Sequence, residues 1–195
     1  MSGKRCPVNE IWNLLFLQPF LAFIMKKILF VCHGNICRSP MAEFVMKDLV
    51  SKAGLSHEFE IASAATSTEE IGNPVYPPAR RKLAEHDIRC DGKTARQMTM
   101  ADYHYYDMII LMDQNNLRNI RRIIGEDVDG KVSLLMDFTG HPHSVADPWY
   151  TGDFEATWQD VLEGCTALME TVKSESTKER GQRTNLFGLS RARRR

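Results

Sequence analysis

The chain lacks several things that would settle its class at once. No apolar run reaches the ~18 residues that mark a membrane-spanning helix, so no membrane span is expected. There is no internal repeat and no low-complexity stretch, which excludes solenoid, collagen-like and mostly disordered architectures. Net charge is absent too: 25 Lys and Arg balance 25 Asp and Glu, a poor match to a dedicated nucleic-acid binder. No CxxC or HxxxH pair offers the spacing of a structural zinc site, so no metal is expected. Five scattered cysteines, Cys6, Cys32, Cys37, Cys90 and Cys165, do not make a disulfide framework. Reduced thiols in a cytoplasmic compartment are the expectation. What remains is a 195-residue chain, 43% hydrophobic and 26% charged, a composition that suits one globular domain with tails.

The charge balance hides an asymmetry. Residues 178–195 carry seven Lys or Arg against one Glu, so the tail is basic and the body acidic. An acidic body with an anion site must concentrate positive potential locally. Residues 173–195 are polar, charged and without helical periodicity, and are expected to form a disordered tail. Residues 11–25, IWNLLFLQPFLAFIM, are apolar and follow Lys4 and Arg5, as in a targeting segment. Gln18 and Pro19 interrupt that stretch, however, and no small-residue cleavage site follows it. Residues 1–25 are therefore set aside as an N-terminal extension, non-native or disordered, and residues 26–172 are read as the folded domain.

Within that domain strand and helix patterns alternate. KILFVC (Lys27–Cys32) is a short apolar run typical of a buried strand. Met41, Phe44, Val45 and Leu49 then recur at helical spacing, with Pro40 placed at a first helical position and Gly54 ending the helix. Further strands are expected at Glu58–Ser63, Asp107–Met112 and Lys131–Leu135, and helices at Ala79–His86, at Asn115–Ile124 and from Phe154 onward. Arg89–Met100 has no clear period, and Met136–Gly152 reads as a long loop. Such alternation predicts an α/β fold: one doubly wound domain with a four-stranded parallel sheet flanked by helices. Ligands in such folds bind outside the carboxyl ends of the strands. That singles out the loop after the first strand and the loop after the fourth.

The first of these runs Cys32-His33-Gly34-Asn35-Ile36-Cys37-Arg38-Ser39 between a strand and a helix. Backbone N–H groups at a helix start are unpaired, and the helix dipole adds partial positive charge. Gly34 and Asn35 tolerate the left-handed backbone that would curl successive N–H groups into a nest. Arg38 offers a planar fork for two phosphate oxygens. Cys32, at the strand end, faces the same centre, where positive potential favours a nucleophilic thiolate. The loop is thus a candidate phosphate-binding loop. Taken alone, the same residues also fit a buried strand-end cysteine and a surface arginine.

The segment CHGNICRSPMAE resembles the signature of the low-molecular-weight protein tyrosine phosphatases, CxGNxCRSPxAE. The likeness continues through SAAT (Ser63–Thr66), IGNP (Ile71–Pro74), ARQ (Ala95–Gln97), MD (Met112–Asp113), NLR (Asn116–Arg118) and DP (Asp147–Pro148). It spans residues 26–172 and leaves both extensions out. The resemblance implies that Cys32 is the nucleophile, Arg38 the phosphate clamp and Asp147 the general acid and base. It implies that Ser39 donates to the sulfur and that Asn35 and Ser63 brace the loop. Together with His33, Gly34, Ile36 and Cys37, Asn35 and Ser39 form the candidate phosphate-binding set, and the side chain of His33 is given no catalytic role. Trp149 and Tyr150 match an aromatic wall for the substrate ring. Cys37 is either a redox partner of Cys32 or a small buried apolar residue. No cofactor is implied. The implied partner is a phosphotyrosine-containing protein or peptide, and the implied state a monomer or weak dimer.

Two positions depart from the family pattern. Glu69 stands where a rim aromatic is common, which removes a stacking surface and adds negative charge beside Glu70. Lys93 stands where animal members often have a histidine of the bracing network. Three alternatives remain at this point. A phosphoarginine phosphatase typically has Thr where this chain has Ile36. An arsenate reductase needs a further cysteine pair, and Cys90 is alone in its region. A non-catalytic phosphopeptide-binding module would not need Cys32, Arg38 and Asp147 together.

Overall fold

The computed structural model describes residues 25–192, with side chains through residue 178. The N-terminal extension, Met25 apart, and residues 193–195 lie outside the described residues. Four strands, β1 (Lys26–Cys32), β2 (Phe59–Ala65), β3 (Met108–Leu111) and β4 (Val132–Leu134), form one parallel sheet in the order β2-β1-β3-β4. The helices are α1 (Arg38–Lys52), α2 (Pro77–Ala84), α3 (Met100–Tyr105), α4 (Gln114–Ile124), the short α5 (Pro148–Thr151) and α6 (Phe154–Ala192). The α/β architecture expected from the alternating pattern is present.

The central strand explains why the sheet is covered on both faces. Side chains alternate across a strand, so Ile28, Phe30 and Cys32 join one core while Leu29 and Val31 join the other. The first core is closed by Met41, Val45 and Met46 of α1, Leu83 of α2 and Val161, Cys165 and Leu168 of α6. The second is closed by Tyr103 of α3 and by Ile120 and Ile124 of α4. Every β1 residue from Ile28 to Val31 is fully buried, and each such side chain contributes roughly 1.5–3 kcal/mol. The order in which strands are added reverses at β1: the connection from β1 leads to β2 on one side, and β3 pairs on the other. The crevice at that switch point lies outside the carboxyl ends of β1 and β3.

Three local expectations need correction. Helix α1 begins at Arg38, so Pro40 is its third residue rather than its first. It still lacks an intrahelical partner there, because the first four N–H groups of a helix have none. Arg89–Met100 ends in a helix the periodicity did not mark: Thr99 caps α3, accepting from Asp102 N while the Asp102 carboxylate accepts from Thr99 N, a reciprocal cap worth about 1 kcal/mol. Helix α6 runs to Ala192, past residue 173, where a disordered tail was expected. Val172 is its last buried position among the described side chains. The ladder continues because elongation adds one backbone bond per residue and no proline interrupts it.

Helix α6 approaches the turn after β4 closely at Gly164. A Cβ built there would lie 2.5 Å from Leu135 Cγ, whereas one at Gly140 meets nothing within 4 Å. Gly164→Ala is therefore expected to destabilise the fold by about 1–3 kcal/mol through overpacking, and Gly140→Ala to leave it nearly unchanged. Urea unfolding of the two variants checks this; equal midpoints would show that α6 is not so tightly seated.

Candidate active site

Strand β1 ends at Cys32, and six residues later α1 starts at Arg38 with no side chain capping its first turn. Its dipole and free N–H groups therefore face the loop between them. Asn35 takes the left-handed conformation, φ 60°. Gly34 does not, contrary to the sequence expectation; its role is steric. A Cβ at Gly34 would come within 3.1 Å of Glu70 Cγ, so the bare backbone lets the rim segment cross close to the loop. The Cys32 sulfur is buried and lies 3.1 Å from Ser39 Oγ. It also accepts the Asn35 N–H at 3.3 Å. Two hydrogen-bonding groups thus converge on one sulfur.

Behind the loop sits a buried polar network. Asn35 Nδ2 donates to Ser39 Oγ at 2.9 Å and to Ser63 Oγ at 2.8 Å, and Arg96 N donates to Asn35 Oδ1 at 3.2 Å. Ser63 in turn donates to Glu43 Oε2 at 2.6 Å. Lys93 Nζ lies 2.9 Å from the same oxygen and donates to Ser63 O at 3.0 Å. Lys47 donates to Glu43 Oε1 at 2.5 Å. Burial would raise the Glu43 pKa, but Lys93, Lys47 and Ser63 together hold it below its ordinary value of 4.5. Burial pushes the Lys93 pKa down, and Glu43 restores only part of it. Lys93 therefore enters the brace as a donor to both Glu43 and Ser63.

Arg38 is 4% exposed and carries its charge between two carboxylates. Nη1 meets Asp113 Oδ2 at 2.5 Å and Nη2 meets Asp147 Oδ2 at 2.6 Å. Burial lowers its pKa, but Cys32, Asp147 and Asp113 more than offset this and hold it above its usual value. Asp113 also caps α4, accepting from Asn116 N at 2.7 Å. Asp147 caps α5, accepting from Trp149 N at 3.1 Å. Each carboxylate is thus fixed by one helix start and aimed by one guanidinium.

The aromatics after Asp147 divide. Trp149 lies 5.6 Å, centroid to centroid, from Tyr76, whose backbone N–H donates to Ile36 O at 2.9 Å. Tyr150 is 86% exposed. On another part of the rim His33 Nε2 meets Glu69 Oε2 at 2.9 Å, so the acidic departure has a partner that the sequence did not indicate. Cys37 is buried, and burial first, then Cys32 and Asp147, push its pKa up to about 12. It stays a neutral thiol where Cys32 is hydrogen-bonded. Cys32, Cys37, Cys90 and Cys165 are all free.

The structure thus brings Cys32, Asn35, Arg38, Ser39, Ser63 and Asp147 into one connected cluster. Three members were missed as site residues: Glu43, Asp113 and Tyr76. Glu43 and Asp113 stood inside quoted motifs, and an acidic residue in an otherwise apolar segment was the available signal. Tyr76 had none.

A strand-end cysteine sulfur, an uncapped helix start and a buried guanidinium on one short loop define a cysteine-based phosphate site. The profile of the "Low molecular weight phosphotyrosine protein phosphatase" family matches residues 27–178. The low molecular weight protein-tyrosine-phosphatase YfkJ of Bacillus subtilis is 37% identical over 153 residues, covering 77% of this chain and 98% of YfkJ. Its crystal structure superposes with a TM-score of 0.75, covering 77% of this chain and 96% of that one. The low molecular weight phosphotyrosine protein phosphatase of Rattus norvegicus is 39% identical over 150 residues, covering 74% of this chain and 94% of the rat protein. The low molecular weight protein tyrosine phosphatase SP-PTP of Streptococcus pyogenes is 42% identical, with a TM-score of 0.70 over 80% of this chain and 98% of its own. The chain belongs to the low molecular weight phosphotyrosine protein phosphatase family.

The brace has a pH signature. A carboxyl whose folded pKa lies below its unfolded one stabilises the fold above the unfolded value, and that contribution is lost as pH falls through the folded value. Glu43→Gln should therefore be less stable than the parent at neutral pH, with the gap closing below the ordinary value of 4.5. Urea midpoints across that range test it; a gap that stays constant with pH would remove Glu43 from the charged network.

Proposed function

We propose that this protein hydrolyses phosphotyrosine in proteins and peptides through a phosphoryl group carried on Cys32. One observation carries the reading: Arg38, buried beside the Cys32 loop, holds Asp147 at 2.6 Å, so nucleophile, phosphate clamp and proton donor share one guanidinium. An arriving phosphoryl dianion takes over the Arg38 fork. It separates the guanidinium from Asp147, which the mechanism uses in its acid form. Cys32 Sγ then attacks phosphorus as the bond to the tyrosyl oxygen breaks, and Asp147 gives its proton to that oxygen. The phosphoryl charge is met by Arg38 and the loop amides. In the second step water attacks phosphorus, Asp147 takes a proton from it, and the S–P bond breaks. The sulfur leaves as thiolate against Ser39 and the Asn35 N–H.

This reading needs no cofactor and no metal, since Arg38 and the helix start supply positive potential. The free cysteines support a reducing, cytoplasmic setting, and no helix among the described residues is long and apolar enough to cross a membrane.

Cys32→Ser is expected to abolish turnover of p-nitrophenyl phosphate while leaving the unfolding midpoint near that of the parent. Asp147→Ala is expected to slow phosphotyrosine peptides by about 10²–10⁴-fold and to slow aryl phosphates with good leaving groups much less. Steady-state assays on both substrates decide it. Equal slowing would remove Asp147 from the acid role, and a phosphoarginine peptide turned over faster than phosphotyrosine would favour that alternative.

A further inference from the structure

Beside the phosphate loop, beyond Trp149, lies a cleft of about 400 Å³ lined by Tyr76, Pro78, Arg81, Pro148, Trp149 and Phe154, with Gly152 at its edge. It is continuous with the site described above through Pro148 and Trp149, which directly follow Asp147, and through Tyr76, which bonds the loop at Ile36 O. Its walls are aromatic rings and proline: Tyr76 lies 5.6 Å from Trp149 and 6.2 Å from Phe154. These rings present flat apolar area at low entropic cost.

The cleft has one cation. Arg81 is exposed, and its side chain has no ion-pair or hydrogen-bond partner among the described residues. The neighbouring charges are already engaged. Lys82 lies 2.5 Å from Glu85 and 2.9 Å from Glu155, and Asp153 caps α6 by accepting from Ala156 N at 2.9 Å. Arg81 is therefore an uncommitted planar donor fork at the end of an apolar trough. On the His33–Gly34 side of the loop the rim is acidic, with Glu69 and Glu70. The two sides of the entrance differ in charge.

We propose that this cleft is a specificity subsite for the peptide chain flanking the phosphorylated residue, and that it selects an acidic side chain through Arg81. The inference rests on the phosphatase reading above and names which phosphopeptides that site prefers. The phosphotyrosine ring enters beside Trp149. The chain leaving it on one flank crosses the trough, and a Glu or Asp a few residues away reaches the guanidinium. A lysine at the same place meets a like charge. The Glu69–Glu70 side gives the opposite flank no such attraction for acid.

The test uses full-length protein and pairs of phosphotyrosine peptides that differ only by Glu or Lys, placed one to three residues before or after the phosphotyrosine. The expected result is a kcat/KM ratio of about two- to fivefold in favour of Glu on one flank, the size of an exposed ion pair, shrinking as salt is added. In Arg81→Glu that ratio should fall to one or invert, and in Arg81→Lys it should largely survive. Because the readout is a ratio within each enzyme, a general loss of activity does not mimic it. No flank preference in the parent, or the same preference in Arg81→Glu, would overturn the subsite. p-Nitrophenyl phosphate, too small to reach the trough, separates the two levels. If the parent turns it over and the peptides show no preference, the subsite fails alone. If it is not turned over, the phosphatase reading fails and the subsite with it.

Discussion

A guanidinium that is 4% exposed must be surrounded by negative charge or it does not stay in place. Arg38 meets that demand with Asp113, Asp147 and the sulfur of Cys32. Each partner comes from a different element: the turn after β3, the loop before α5 and the end of β1. One buried charge therefore ties together the ends of two strands and the segment that carries Asp147. The sheet order, with β1 and β3 side by side at the switch point, is what makes this meeting possible.

The same charge holds the Asp147 carboxylate at 2.6 Å. In the mechanism proposed above, a phosphoryl group exchanges with that carboxylate at the guanidinium. Precision in that exchange depends on the loop's not yielding. Asn35, Ser63, Glu43 and Lys93 form a brace whose members are hydrogen-bonded in series, and such buried networks hold one geometry only while fully satisfied.

Much of this was legible from residue order. The short apolar run of β1, the turn to a helix and the Cys32–Arg38 spacing located the loop, because local chemistry alone explains why those residues sit there. What was not legible depended on contacts across long stretches of chain. Glu43 is an acidic residue inside an otherwise apolar helix face, and it takes Lys93, fifty residues later, and Ser63 as well as its neighbour Lys47 to make its burial tolerable. The Glu69 departure read as bare negative charge until His33 was seen against it. Gly34 read as a turn residue, yet its role is clearance for Glu70. The extension of α6 past Val172 was missed because the residues that follow carry no apolar periodicity in the sequence.

The account stands on phosphorus becoming bonded, for a time, to one sulfur. Acid quenching of the protein during turnover of p-nitrophenyl phosphate, followed by peptide mapping, tests this directly. The predicted result is phosphate on Cys32 alone, present while substrate lasts and gone when it is exhausted. Steady release of p-nitrophenol with Cys32 unmodified, or with phosphate on another side chain, would contradict it.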